Sequence, residues 1–152
     1  MQFKSKNVDQ TLSFAAVVAK YIPDGSIILL NGDLGAGKTT FVKGFAKEKG
    51  ISEKITSPTF TILKTYNIDD DHLLVHVDAY RLENSSFDEL DDFLVDENIV
   101  FIEWSNYLQN QELLNEHLAI NIEYISKNQR KITLTAVGEK YQSILEKVKN
   151  HV

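Results

Sequence analysis

Residues 32 to 39 read Gly32-Asp33-Leu34-Gly35-Ala36-Gly37-Lys38-Thr39, a full match to the pattern G-x-x-x-x-G-K-[ST]. That pattern suits phosphate. Its glycines allow a tight turn that aims consecutive backbone N–H groups at phosphate oxygens, and the N-terminus of a following helix adds partial positive charge. Lys38 suits the β and γ phosphates of a nucleotide, and the Thr39 hydroxyl suits a magnesium ion.

Such a site also needs a carboxylate at the end of a neighbouring strand. Two apolar runs end that way, Leu73-Leu74-Val75-His76-Val77-Asp78 and Ile99-Val100-Phe101-Ile102-Glu103, and the residues alone do not rank Asp78 against Glu103. One division puts one acid on the metal shell and the other on the attacking water. Thr56-Ser57-Pro58-Thr59-Phe60 presents three hydroxyls on a loop stiffened by Pro58, suited either to sensing a γ-phosphate or to capping nearby backbone. Arg81 and Arg130 are the only arginines, so a transition-state arginine within this chain must be one of them. The plainer role for Arg81 is an ion pair with the acidic segment that begins at Glu83. Trp104, the only tryptophan, either shields the site or is a core aromatic. His76 shares a strand face with Asp78, where it either orders that carboxylate or is a satisfied core histidine.

These residues need elements to hold them. Helical spacing predicts helices over Asp9 to Ile22, Lys38 to Lys49 and Glu139 to Lys149, with a further helix at Ser86 to Leu94 from the capping-box spacing of Ser86 and Glu89. Apolar or alternating runs predict strands at Ser26 to Asn31, Asn98 to Glu103, Leu118 to Tyr124 and Ile132 to Ala136. Thr59 to Tyr66 and His72 to Asp78 form a predicted hairpin. The phosphate motif thus falls between a strand and a helix. The expected fold is α/β, a three-layer nucleotide-binding fold with a mixed, partly parallel central sheet and an antiparallel hairpin.

The chain has 152 residues, no cysteine and a formal charge of −6. With two prolines and no Pro/Gly/Ser linker, one domain over residues 1–152 is expected. Absent cysteines exclude a disulfide framework and a zinc–thiolate site. No apolar run approaches a spanning helix and Met1 to Lys20 lacks a signal-peptide order, so a cytoplasmic, non-membrane protein is expected. The acid excess lies in residues 77 to 152, and Glu83 to Glu103 holds eight acids and no base. Broad nucleic-acid binding, which needs a basic face, is disfavoured.

Four segments together resemble one family: Asn31 to Thr40, Ser57-Pro58-Thr59-Phe60, His76-Val77-Asp78-Ala79-Tyr80-Arg81-Leu82 and Ile102-Glu103-Trp104 are similar, in order and spacing, to the bacterial TsaE (YjeE) ATPase family. Thr11 also matches a threonine common in that family near the nucleotide. The resemblance implies a P-loop fold that binds ATP through Gly32, Asp33, Leu34, Gly35, Ala36, Gly37, Lys38, Thr39 and Thr40, with Thr11, Thr59 and Trp104 near the nucleotide. It implies Mg²⁺ on Thr39 and Glu103, and catalysis by Lys38, Asp78 and Glu103. It implies a place in threonylcarbamoyladenosine modification of tRNA, acting on a TsaB–TsaD heterodimer to reset it between turnovers, with tRNA engaged only through the complex. Ala79 and Ser105 depart from residues usual in the family, away from the phosphate chemistry. The expected activity is a Mg-dependent ATPase, weak alone and stimulated by partners. A small-molecule kinase fits poorly with two arginines, and a non-hydrolysing nucleotide-gated module is the other alternative. A GTPase is disfavoured because no N-K-x-D segment exists.

Overall fold

The computed structural model describes residues 1–83, 88–108 and 114–152. Its elements run β1 (Gln2–Ser5), α1 (Val8–Tyr21), β2 (Ile27–Asn31), α2 (Lys38–Glu48), β3 (Leu63–Asn67), β4 (Leu73–Asp78), α3 (Leu90–Phe93), β5 (Ile99–Glu103), β6 (His117–Tyr124), β7 (Arg130–Val137) and α4 (Glu139–His151). Seven strands form one sheet in the order β1-β7-β6-β2-β5-β4-β3. Pairings β6/β2, β2/β5 and β5/β4 are parallel, whereas β1/β7, β7/β6 and β4/β3 are antiparallel. The mixed α/β sheet and the hairpin agree with the sequence expectation.

The central parallel strands carry the longest apolar runs because both of their faces are covered. On one face Ile28, Leu30, Phe101 and Leu118 pack with Phe14, Phe41 and Phe45 of α1 and α2 and with α4. On the other, Leu29, Val75, Val77, Val100 and Ile102 pack with Leu90, Leu108 and Leu114. Helix α1 begins at a reciprocal cap: Asn7 Oδ1 accepts from Gln10 N, and Gln10 Oε1 accepts from Lys6 N. Helices α1 and α2 approach closely at Gly44, where an added Cβ would stand 2.5 Å from the Leu12 carbonyl oxygen.

Three local departures have physical causes. Strand β1 escapes the sequence patterning because four residues are too short for periodicity; it forms by pairing with β7, Gln2 against Thr133 through Ser5 against Arg130. The first hairpin strand begins at Leu63 rather than Thr59, since the Pro58 carbonyl accepts from Thr61 N and Ile62 N and turns the chain, with Ile62 at φ 67. The helix expected over Ser86 to Leu94 is a single turn, Leu90–Phe93, and its Ser86 end lies outside the described residues. No described helix is long and apolar enough to cross a membrane.

Candidate functional site

At the C-terminal ends of the parallel strands, the loop after β2 opens into a cleft of about 620 Å³. Leu34, Gly35, Gly37, Lys38, Thr39 and Thr40 line one wall; Ser57, Thr59, Asp78, Tyr80, Glu103 and Trp104 line the rest. Binding crevices of open α/β sheets form at this end, where neighbouring connections diverge. Gly37 sits at φ 115 at the head of α2, a backbone state that side chains disfavour, and the helix N-terminus is thereby turned into the cleft.

The two strand-end acids are neighbours because β4 and β5 are parallel and Asp78 pairs with Glu103 in register. Their surroundings differ. Lys38 Nζ lies 3.1 Å from Glu103 Oε1, and His76 Nε2 lies 2.6 Å from Glu103 Oε2. Burial opposes ionisation of Glu103 most strongly, yet the His76 imidazole and the Lys38 ammonium outweigh it and hold the carboxyl below its ordinary value. Asp78 Oδ1 accepts from Tyr80 N at 3.0 Å, and its Oδ2 faces the Thr59 hydroxyl at 3.4 Å. His76 therefore hydrogen-bonds Glu103, not Asp78 as its position on the strand suggested.

In the Ser57 to Phe60 loop, the Ser57 and Thr59 hydroxyls pair at 2.6 Å and face the cleft, whereas the Thr56 hydroxyl is held by Lys64 Nζ. Two non-glycine residues with positive φ flank this arrangement, Ile62 beyond the loop and Trp104 (φ 58) directly after Glu103. Such backbone persists only where surrounding contacts over-determine it. Trp104 stands between core and cleft: half-buried against the Leu29, Val77 and Ile102 cluster, it stacks on Tyr107 at 5.5 Å, meets Tyr80 edge-on at 5.1 Å, and carries Lys38 Nζ 5.3 Å above its ring.

Among the described residues neither arginine lines the cleft. Arg130 Nε donates to the Ala36 carbonyl at 2.7 Å, while its Nη1 donates to the Ser126 and Gln129 carbonyls and its guanidinium covers Tyr124. It clamps the β6–β7 turn to the glycine-rich loop. Arg81 lies over the exposed Phe60 ring at 5.0 Å; among the described residues it makes no ion pair with the acidic segment.

Thr11 is buried in α1, paired with Ser5 Oγ at 2.7 Å, and does not line the cleft. Gly32 and Asp33 line a smaller adjoining cavity of about 240 Å³ with Lys38 and Trp104, and Ala36 is buried beneath the loop. Tyr80 and the Glu103–His76 pair escape the sequence analysis. Tyr80 carried a signal, two positions after Asp78; the pair had none, since its members lie 27 residues apart.

Comparison with known proteins gives this geometry its family. A model described as threonylcarbamoyl adenosine biosynthesis protein TsaE matches residues 5–132. This chain belongs to the TsaE family. The Bacillus subtilis tRNA threonylcarbamoyladenosine biosynthesis protein TsaE is 40% identical over 152 residues, 99% of this chain and 95% of that protein. The TsaE of Streptomyces coelicolor is 34% identical over 133 residues, 82% and 88% of the two chains. The crystal structure of Bacillus subtilis YdiB superposes with a TM-score of 0.84 at 35% identity, covering 99% of this chain and 95% of that one. The TsaE match to residues 5–132 spans both the glycine-rich loop and the Asp78–Glu103 strand ends.

Proposed function

We propose that this TsaE-family chain is a Mg-dependent ATPase of the cytoplasm that serves threonylcarbamoyladenosine modification of tRNA. The observation that supports it best is the 3.1 Å approach of Lys38 to an ionised, buried Glu103 in a cleft shared with Thr39 and Asp78. The name of the Bacillus subtilis relative supplies the pathway. Backbone N–H groups of the loop and the α2 N-terminus bind the phosphates. Lys38 leaves Glu103 for the β and γ oxygens, and Asp78 orients the attacking water.

A magnesium ion fits the donors present. Thr39 and Glu103 offer hard oxygen ligands on one cleft, and magnesium is usually held by one or two carboxylates plus substrate phosphates. When bound it supplies charge neutralisation at the β and γ phosphates. The TsaB–TsaD heterodimer is the proposed partner that this ATPase resets between turnovers, with tRNA engaged through that complex. Among the described residues neither arginine lines the cleft, since Arg130 is held by the Ala36 carbonyl and Arg81 lies over the exposed Phe60 ring, so a transition-state arginine is expected to come from a partner or from movement of Arg81. Turnover measured with and without TsaB–TsaD, and with tRNA added, tests this. Slow hydrolysis alone and faster hydrolysis with the heterodimer are expected; equal rates overturn the partner role.

A further inference from the structure

We propose that His76 is a positioning residue, which fixes one oxygen of Glu103 so that only the other faces the cleft. This rests on the reading of Glu103 as a magnesium ligand. His76 lies on β4 and pairs in register with Phe101, whereas Glu103 pairs with Asp78, so His76 and Glu103 are diagonal neighbours on one sheet face. That geometry brings Nε2 to 2.6 Å from Oε2 with the ring fully buried.

An ionised carboxylate only accepts hydrogen bonds, so the proton between the two belongs to Nε2. Among the described residues the other ring nitrogen, Nδ1, is buried without a hydrogen-bond partner. A histidine kept for packing alone would leave this polar atom for no return, because an apolar ring of similar size would avoid it. Its return is the short hydrogen bond: with Oε2 tied back, the Glu103 carboxylate cannot rotate, and Oε1, now facing Lys38, is the oxygen left for a metal when Lys38 turns to phosphate. Residues behind a metal ligand act in this way, and their loss typically costs ten- to a hundredfold in metal affinity or activity.

The test compares wild type, His76→Phe and His76→Gln in the full chain, each first shown to unfold cooperatively. Mn²⁺ binding in the presence of ADP is followed by electron paramagnetic resonance, and ADP binding is measured without metal. A glutamine amide nitrogen falls close to the place of Nε2, so it keeps the donor. His76→Phe should weaken Mn²⁺ binding about tenfold or more, leave metal-free ADP affinity unchanged, and be largely rescued by His76→Gln. Long-range ¹H–¹⁵N spectra of the metal-free wild type should show Nε2 protonated, with a resonance that moves in Glu103→Gln. Equal Mn²⁺ affinity in wild type and His76→Phe, or a neutral ring protonated at Nδ1, overturns the positioning role. A wild-type chain that binds no Mn²⁺ beside ADP overturns the metal reading of Glu103 itself, and the two failures are distinct.

Discussion

The Lys38 ammonium and the Glu103 carboxylate, 65 residues apart in sequence, stand 3.1 Å apart across the head of α2. Each is almost fully buried, so each depends on the other for charge balance while the cleft holds no phosphate. On the proposed reading, a nucleotide would exchange that pairing for one between Lys38 and phosphate.

Removing either partner should therefore act differently. Lys38→Ala deletes the cation proposed to meet phosphate, and ATP affinity should fall by about ten- to a hundredfold, as isothermal titration would read. Glu103→Ala should leave metal-free ADP binding no weaker, since Lys38 is released, yet abolish magnesium-dependent turnover. Asp78→Ala should bind metal and fail in turnover. The reverse pattern, with Asp78→Ala losing metal and Glu103→Ala hydrolysing normally, would exchange the two roles.

Arg130 supports the glycine-rich loop from behind. Arg130→Ala strips donors from the Ala36, Ser126 and Gln129 carbonyls, and ADP affinity should drop about tenfold, the order expected for one lost charged hydrogen bond. Arg130→Lys should recover little. A single ammonium does not span the fork that holds loop and turn together. Unchanged ADP affinity in Arg130→Ala would show that the loop holds its shape unaided.

A pH-sensitive contact lies far from the cleft, where His72 Nδ1 meets Asp69 Oδ1 at 2.6 Å in the β3–β4 turn. The Asp69 hydrogen bond raises His72 above its ordinary 6.5, and His72 lowers Asp69 below its ordinary 3.8. The sign follows for each. The histidine's contribution is complete below 6.5 and is lost as pH rises through its raised folded value; the aspartate's is present above 3.8 and is lost as pH falls through its lowered one. NMR titration should find His72 above 6.5, and Asp69→Asn should bring it down. Asp69 is exposed and His72 partly so, and salt should therefore weaken the shift.

Packing of α1 on α2 gives a stability prediction. In Gly44→Ala the new methyl would meet the Leu12 carbonyl oxygen at 2.5 Å and the Leu12 Cα at 2.9 Å, backbone atoms that cannot rotate away. The clash should outweigh the helix-propensity gain of alanine and cost about 1–3 kcal/mol, seen as a lower urea midpoint. An unchanged midpoint would mean that the helices separate at little cost.

Much of this molecule is written locally. Gly32 to Thr39 reads as a glycine-rich turn between a strand and a helix because its glycines act through neighbouring backbone, and the runs ending in Asp78 and Glu103 read as strands from their apolar, β-rich composition. The strand-loop-helix order and the antiparallel hairpin follow from the same short-range patterns. What those patterns cannot carry is partnership across the sheet. Which acid Lys38 meets depends on β5 lying beside β2, and the choice of Glu103 over Asp78 by His76 depends on the parallel β4/β5 register. Strand β1 exists only through β7, and Arg130 reaches Ala36 only because the β6–β7 turn folds back beside the loop. Local composition settles which chemistry is available; long-range pairing decides which atoms share it.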